Sequence, residues 1–297
     1  MSSLAPRIVL VTRQTELEHL LAEHATRGQV EFFLKTREQS IDQLQIRHDL
    51  QFLAVQKTRQ FIPDDWSIAK VDRRNLDRFM FGKNDIIIAI GQDGLVANLA
   101  KYLTGQPVIG ITPDPEKSEG VLTPLSVDVL PIVLLALRHG KVGFQKRTMV
   151  KAHLDDGQTL LALNEVFLGH KSHQSAKYII SINQKKEYQS SSGIIVSTGT
   201  GLTGWAKSIL TATHREAVVK PHDRKAVFFA REPWPSRVSG TNLSYGAIKE
   251  KTNLSVISRM NNGGVIFADG IEQDFLHFNW GSRVEIGLAE NTLNLVV

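Results

Sequence analysis

Three short segments of the 297-residue chain hold the residue types that group transfer or ligand binding would need. The first is Gly91-Gln92-Asp93-Gly94, directly after the apolar run DIIIAI at Asp85 to Ile90. A strand that ends there and hands over to a helix offers unpaired N–H groups to phosphate, and Gly91 and Gly94 let the backbone come close to it. The Asp93 carboxylate could accept a hydroxyl proton or help hold a magnesium ion, and a plain Asp-Gly turn is the competing reading. The second segment is Ser197-Thr198-Gly199-Thr200-Gly201, again between a strand and a helix. Its hydroxyls and glycines make a polar cradle suited to phosphate, unless Thr200 or Thr203 only caps the helix. Trp205, on the first turn of that helix, could stack on a ring or belong to the core. The third segment is Asn164-Glu165, within the otherwise apolar strand LLALNEVFLG. Burying an amide and a carboxylate costs free energy unless ligand hydroxyls or internal hydrogen bonds meet them.

Other polar clusters carry less. His170 and His173 have the spacing of helical metal ligands but fall in an expected hairpin loop, so no zinc site is expected. Lys185-Lys186 and Lys249 to Lys251 lie in expected loops without interleaved aromatics, which reads as solvated surface and argues against nucleic acid. Cysteine is absent, which excludes disulfides, thiolate metal sites and a thiol nucleophile. The net charge of +5 favours anionic partners such as nucleotides. No stretch approaches the roughly 20 apolar residues of a membrane span, so a soluble, cytoplasmic protein is expected.

The elements that must position these segments fall into two halves. In the first, Arg7 to Thr12 reads as a strand and Thr15 with Glu18 as a capping box opening a helix. A second helix runs from Ser40 to Pro63, and strands follow at Ser67 to Val71, at Asp85 to Ile90 and at Pro107 to Ile111, with a helix at about Val96 to Leu103 between the last two. Alternating strands and helices predict a mostly parallel sheet, hence a Rossmann-like α/β domain over residues 1–142. A last helical pattern ends at Gly140. Residues 143–297 then hold many short β-branched runs between turns such as Asp155-Asp156-Gly157 and Asn261-Asn262-Gly263, predicting an all-β, sandwich-like second domain with one helix near Leu202. Thr159 to Leu168 reads as a single strand.

Taken together and in order, GQDG at 91 to 94, PDPEKSEG at 113 to 120, ALNEVFLG at 162 to 169, SSGIIVSTGTG at 191 to 201 with Trp205, and AREP at 230 to 233 resemble the NAD kinase family, most closely its mitochondrial-type branch. The resemblance implies Mg·ATP as phosphoryl donor and NAD as acceptor, in homodimers or higher oligomers. It gives Asp93 the role of the carboxylate that engages the acceptor hydroxyl, with Gly91, Gln92 and Gly94 shaping the triphosphate loop. Asn164 and Glu165 would bind the adenosine part of NAD. Thr198, Thr200, Gly201, Thr203, Trp205 and Ser208 would line the rest of the dinucleotide site. Gln92 departs from the family's usual glycine. Ser192-Gly193 stands where the common bacterial enzymes carry an acidic residue before glycine. The competing functions are a lipid or sugar kinase of the same superfamily and a non-catalytic dinucleotide-binding sensor.

Overall fold

A computed structural model describes residues 5–117 and 120–297. The chain forms two compact units, one of residues 1–145 with 294–297 and one of residues 146–293. The break therefore falls three residues later than composition suggested, and the last four residues return to the first unit. Asn294 and Leu295 pair there with Pro107 and Val108, and this long-range pairing leaves no local signal.

The first unit runs β1 (Arg7–Thr12), α1 (Glu16–His24), α2 (Arg27–Lys35), α3 (Ile41–Phe61), β2 (Ser67–Asp72), β3 (Ile86–Ile90), α4 (Asp93–Ala100), β4 (Pro107–Ile111) and α5 (Leu130–Arg138). The strands lie in the order β2, β1, β3, β4, all parallel. Every residue of β3 is buried, as a central strand covered on both faces must be. Ile8, Leu10, Ile88, Ile90, Ile109 and Ile111 pack with Ala54, Trp66, Leu130 and Leu134. Each isoleucine or leucine among them contributes about 1.5–3 kcal/mol on burial. Local signals set the helix starts. Thr15 and Glu18 form a reciprocal capping box for α1, and Ser40 accepts the Asp42 amide ahead of α3, which stops just before Pro63. Two features differ from expectation. Helix α2 is not among the expected elements, although Val30, Phe33 and Leu34 stand at i, i+3 and i+4; it buries Val30 and Leu34 against Leu17, Ile41 and Leu44. Helix α4 begins at Asp93, three residues before the expected start, because its first turn follows directly on the loop.

The second unit holds β5 (Phe144–Leu154), β6 (Thr159–Ala162), β7 (Glu165–His170), β8 (Ala176–Ile182), β9 (Lys185–Ser191), β10 (Ile194–Thr198), α6 (Trp205–Ala212), β11 (Lys225–Ala230), β12 (Tyr245–Lys249), β13 (Leu254–Ser258), β14 (Gly264–Ala268), β15 (Leu276–His277) and β16 (Arg283–Val296), whose ends reach into the first. One sheet is antiparallel in the order β12, β11, β10, β7, β14, β15. Antiparallel pairs β9–β8–β13–β16 and β5–β6 oppose it. Alternation along the strands decides which side each residue serves. Val166, Leu168, Ile194, Val196 and Phe228 face the opposing strands with Tyr178, Ile180, Val256 and Ile286. Phe167, Ile195, Val227, Phe229 and Phe267 turn the other way and are covered by Ala206 and Leu210 of α6. The coarse expectation, α/β first and β-rich second, holds.

Three strand assignments change. The run Thr159 to Leu168 is two strands broken at Leu163-Asn164, one pairing with β5 and the other entering the six-stranded sheet. Lys185-Lys186 sits on β9 rather than in a loop, because Asn183 and Gln184 adopt left-handed backbones (φ +49° and +66°) that turn β8 back into β9. Lys249 closes β12. Among the described residues no helix is long and apolar enough to cross a membrane.

Candidate functional site

In the first unit, Gly91-Gln92-Asp93-Gly94 forms the passage from buried β3 to α4. Gly91 donates its N–H to Ile111 O at 2.9 Å, tying the loop to the end of β4. Gln92 is the N-cap residue, exposed, and its side chain makes no capping hydrogen bond. Asp93 is the first helical residue. Its Oδ1 accepts from Leu122 N at 2.9 Å, Thr123 N at 3.0 Å and Thr123 Oγ1 at 3.1 Å, and its Oδ2 accepts from Val121 N at 3.0 Å. The carboxylate is thus the clasp of the 121–123 loop, a duty that sequence did not signal. A carboxylate oxygen accepts about two hydrogen bonds, so Oδ2 keeps the free capacity for a hydroxyl. The loop comes close enough to β4 that a Cβ at Gly110 would stand 2.0 Å from Leu122 O. Ser118 and Glu119 of the PDPEKSEG motif lie outside the described residues.

In the second unit, the break between β6 and β7 brings two of the segments together. Asn164 O accepts from Thr198 N at 2.9 Å, and Thr198 Oγ1 donates to Leu163 O at 2.5 Å. That hydroxyl also accepts from Thr200 N at 3.1 Å and Gly201 N at 3.3 Å. Gly201 lies so close that a Cβ would meet Asn164 O at 2.3 Å. The cradle is therefore self-bonded at Thr198. Thr203 Oγ1 likewise donates to Thr200 O at 2.9 Å, and Ser208 Oγ to Trp205 O at 2.8 Å. By contrast, the Thr200 hydroxyl is buried and has no hydrogen-bond partner among the described residues.

Asn164 is half-buried and Glu165 is 7% exposed, yet among the described residues neither side chain makes a hydrogen bond. Burial, reinforced by the negative charge of Asp269, pushes the Glu165 carboxyl up to about 7. Glu165 shares a face of β7 with Phe167, whose ring lies 5.8 Å from the Trp205 indole and 4.7 Å from Phe267. Trp205 is half-buried, a floor of this face as much as a core residue. The Arg231 guanidinium sits 5.3 Å from its ring centroid.

Gly91, Gln92, Asp93 and Gly94 lie in the first unit and the other eight candidate residues in the second; the sequence reading did not single out every residue that supports them. It missed Asp269, whose carboxylate accepts the amides of Leu163, Asn164 and Glu165. The only available signal was the Asp269-Gly270 turn after an apolar strand. It also missed Thr123, whose pairing with Asp93 spans 30 residues.

Comparison with known proteins found no matching family model. The chain is 28% identical over 128 residues to an NAD kinase of Chlorobaculum tepidum, covering 42% of this chain and 44% of that protein. It is 29% identical over 185 residues to the human mitochondrial NAD kinase 2, covering 47% and 42%. Against the mitochondrial NAD kinase 2 of Rattus norvegicus it is 26% identical over 254 residues, covering 68% and 60%. The chain thus spans about half the length of the curated relatives it matches. Among solved structures, an Archaeoglobus fulgidus NAD kinase in complex with ATP superposes with a TM-score of 0.60 at 16% identity, covering 98% of this chain and 93% of that one. A yeast NADH kinase complexed with NADH does so with a TM-score of 0.61 at 14% identity, covering 99% and 84%. At these identities the two structures establish a shared fold.

Proposed function

We propose that the chain is a member of the NAD kinase family, to whose proteins it is similar in sequence and fold, and that it transfers the γ-phosphoryl of Mg·ATP to the adenosine-ribose 2′-hydroxyl of NAD. The observation that carries this reading is the pair Asn164 and Glu165. A buried carboxyl and a half-buried amide, with no hydrogen-bond partner among the described residues, are costly unless a ligand completes them. Ribose hydroxyls, each both donor and acceptor, fit that need. The aromatic floor of Phe167 and Trp205, with Arg231 beyond it, suits a flat, anionic dinucleotide better than an acyl chain.

In this mechanism the GQDG backbone and the amino-terminal N–H groups of α4 bind the donor phosphates. Asp93 Oδ2 orients the acceptor hydroxyl. As the ribose oxygen forms its bond to the γ-phosphorus, the bond from that phosphorus to ADP breaks and the hydroxyl proton passes to Asp93. Phosphoryl transfer has a loose transition state, so positioning does most of the work. No group of three metal-binding side chains occurs among the described residues, and Asp93 already accepts four hydrogen bonds. Magnesium therefore fits as part of the nucleotide substrate, bound mainly by phosphate oxygens, where it would neutralise charge.

The test is purified protein with Mg²⁺, ATP and NAD, with NADP read by an NADP-specific dehydrogenase. NADP formation supports the reading. NAD binding without turnover, with activity gained in Gln92→Gly, would instead favour a sensor, since Gln92 stands exposed at the donor loop. Turnover of lipid vesicles without NAD turnover would favour a lipid kinase. Homo-oligomerisation and a cytoplasmic setting belong to the same proposal, and sedimentation analysis tests the first.

A further inference from the structure

Asp269 directly follows strand β14 and has a left-handed backbone (φ +52°), as does Gly270 after it (φ +70°). Its carboxylate accepts from three successive amides, Leu163 N at 3.1 Å, Asn164 N at 2.7 Å and Glu165 N at 3.3 Å. Its own N–H donates to Glu165 O at 3.0 Å. These four bonds grip the backbone where β6 stops and β7 starts, at the two residues whose side chains have no hydrogen-bond partner among the described residues. We propose that Asp269 is a positioning residue for the dinucleotide, holding the Asn164–Glu165 backbone so that both side chains stay aimed at the adenosine hydroxyls, with its negative charge kept beside Glu165. The identity of the ligand rests on the kinase reading above, whereas the clamp itself does not.

The turn alone does not require a charge. Asparagine adopts left-handed backbone as readily as aspartate, and its oxygen would accept part of the same set of bonds. A carboxylate strengthens the amide bonds, because charge-assisted hydrogen bonds are roughly twice as strong as neutral ones. It also acts on Glu165. On β10 the residue paired with Glu165 is the uncharged Ser197, and Asp269 supplies the electrostatic effect that adds to burial. A Glu165 carboxyl that titrates near neutrality can give or accept a hydrogen bond, which matches a vicinal diol whose hydroxyls do both.

Carboxyl-carbon NMR on ligand-free protein with labelled glutamate tests the clamp. One glutamate signal is expected to titrate near neutral pH, to be missing in Glu165→Gln, and to titrate at lower pH in Asp269→Asn. A Glu165 titration unmoved in Asp269→Asn overturns the electrostatic coupling. Calorimetry with NAD is expected to show affinity weakened by about tenfold in Asp269→Asn, with its pH profile displaced to lower pH. Unchanged affinity and profile overturn the positioning role. If NAD does not bind the natural chain, the kinase reading fails while the carboxyl titration still decides the clamp. Should Asp269→Asn not fold, amide proton shifts in the natural chain serve instead. Those of Leu163, Asn164 and Glu165 must move together as Asp269 is protonated, and three stationary amides overturn the proposal.

Discussion

The Asp93 carboxylate clasps the 121–123 loop, and the role proposed for it toward the acceptor hydroxyl can be separated from that duty by experiment. Asp93→Asn keeps the shape but loses an acceptor toward the 121–123 loop and, in the proposed mechanism, the base toward the ribose. We expect kcat for NADP formation to fall by at least about a hundredfold, with NAD affinity by calorimetry nearly unchanged. Full turnover in this variant would remove Asp93 from the chemistry and leave it the clasp alone. Glu165 makes a prediction about stability. Its carboxyl titrates near 7 when folded against an ordinary value of 4.5. Between those values the folded chain holds a proton that the unfolded chain has released, so this residue makes stability fall as pH rises, levelling off above about 7. Glu165→Gln should therefore be more stable than the natural chain near pH 8, by at most about 3 kcal/mol, and little different near pH 4.5. Urea midpoints at the two pH values check this, and equal differences at both would mean that Glu165 is not held as described.

The elements that matter most are short and broken. The β6–β7 break moves the chain from one sheet to the other and leaves Asn164 and Glu165 at the end of the six-stranded sheet, next to the Thr198–Gly201 turn that opens into α6. Gly201 is the contact point. In Gly201→Ala the new methyl would have to displace Asn164 O at 2.3 Å and Ser197 Oγ at 2.5 Å. Overpacking of this kind costs roughly 1–3 kcal/mol, and NAD affinity should fall along with the urea midpoint. A variant with natural stability and natural NAD affinity would show that the close approach is dispensable. Helix α4 shows why short helices are hard to place from sequence. The apolar period of Leu95, Val96 and Leu99 marks its body, while its first turn follows directly on the loop, where Asp93 bonds to residues about 30 positions away.

For the whole molecule, the return of the last strand is the long-range feature with the clearest consequence. Asn294 Nδ2 donates to Gly105 O at 2.7 Å, while Leu295 and Val296 are buried. Ending the chain at Leu293 should raise amide exchange across Pro107–Ile111 while leaving that of Ile194–Thr198 at its natural level. Unchanged exchange at both strands would mean that these four residues support nothing. What the sequence determined by itself was set by local physics: caps at Thr15 and Ser40, the helix stop before Pro63, the uniformly apolar β3, the α/β-then-β order, and the segments that hold the candidate site residues. Alternation, capping and turn chemistry act within a few residues, so one sequence shows them. Only the tertiary structure decided that Asp93 clasps Thr123, that Asp269 grips Asn164 and Glu165, that the LNEV strand is broken, that Thr198 is spent internally, and that the last residues pair with β4. Each of these depends on hydrogen bonds or packing between residues far apart in the chain, and a hydrogen bond carries no trace in sequence of which distant partner will complete it.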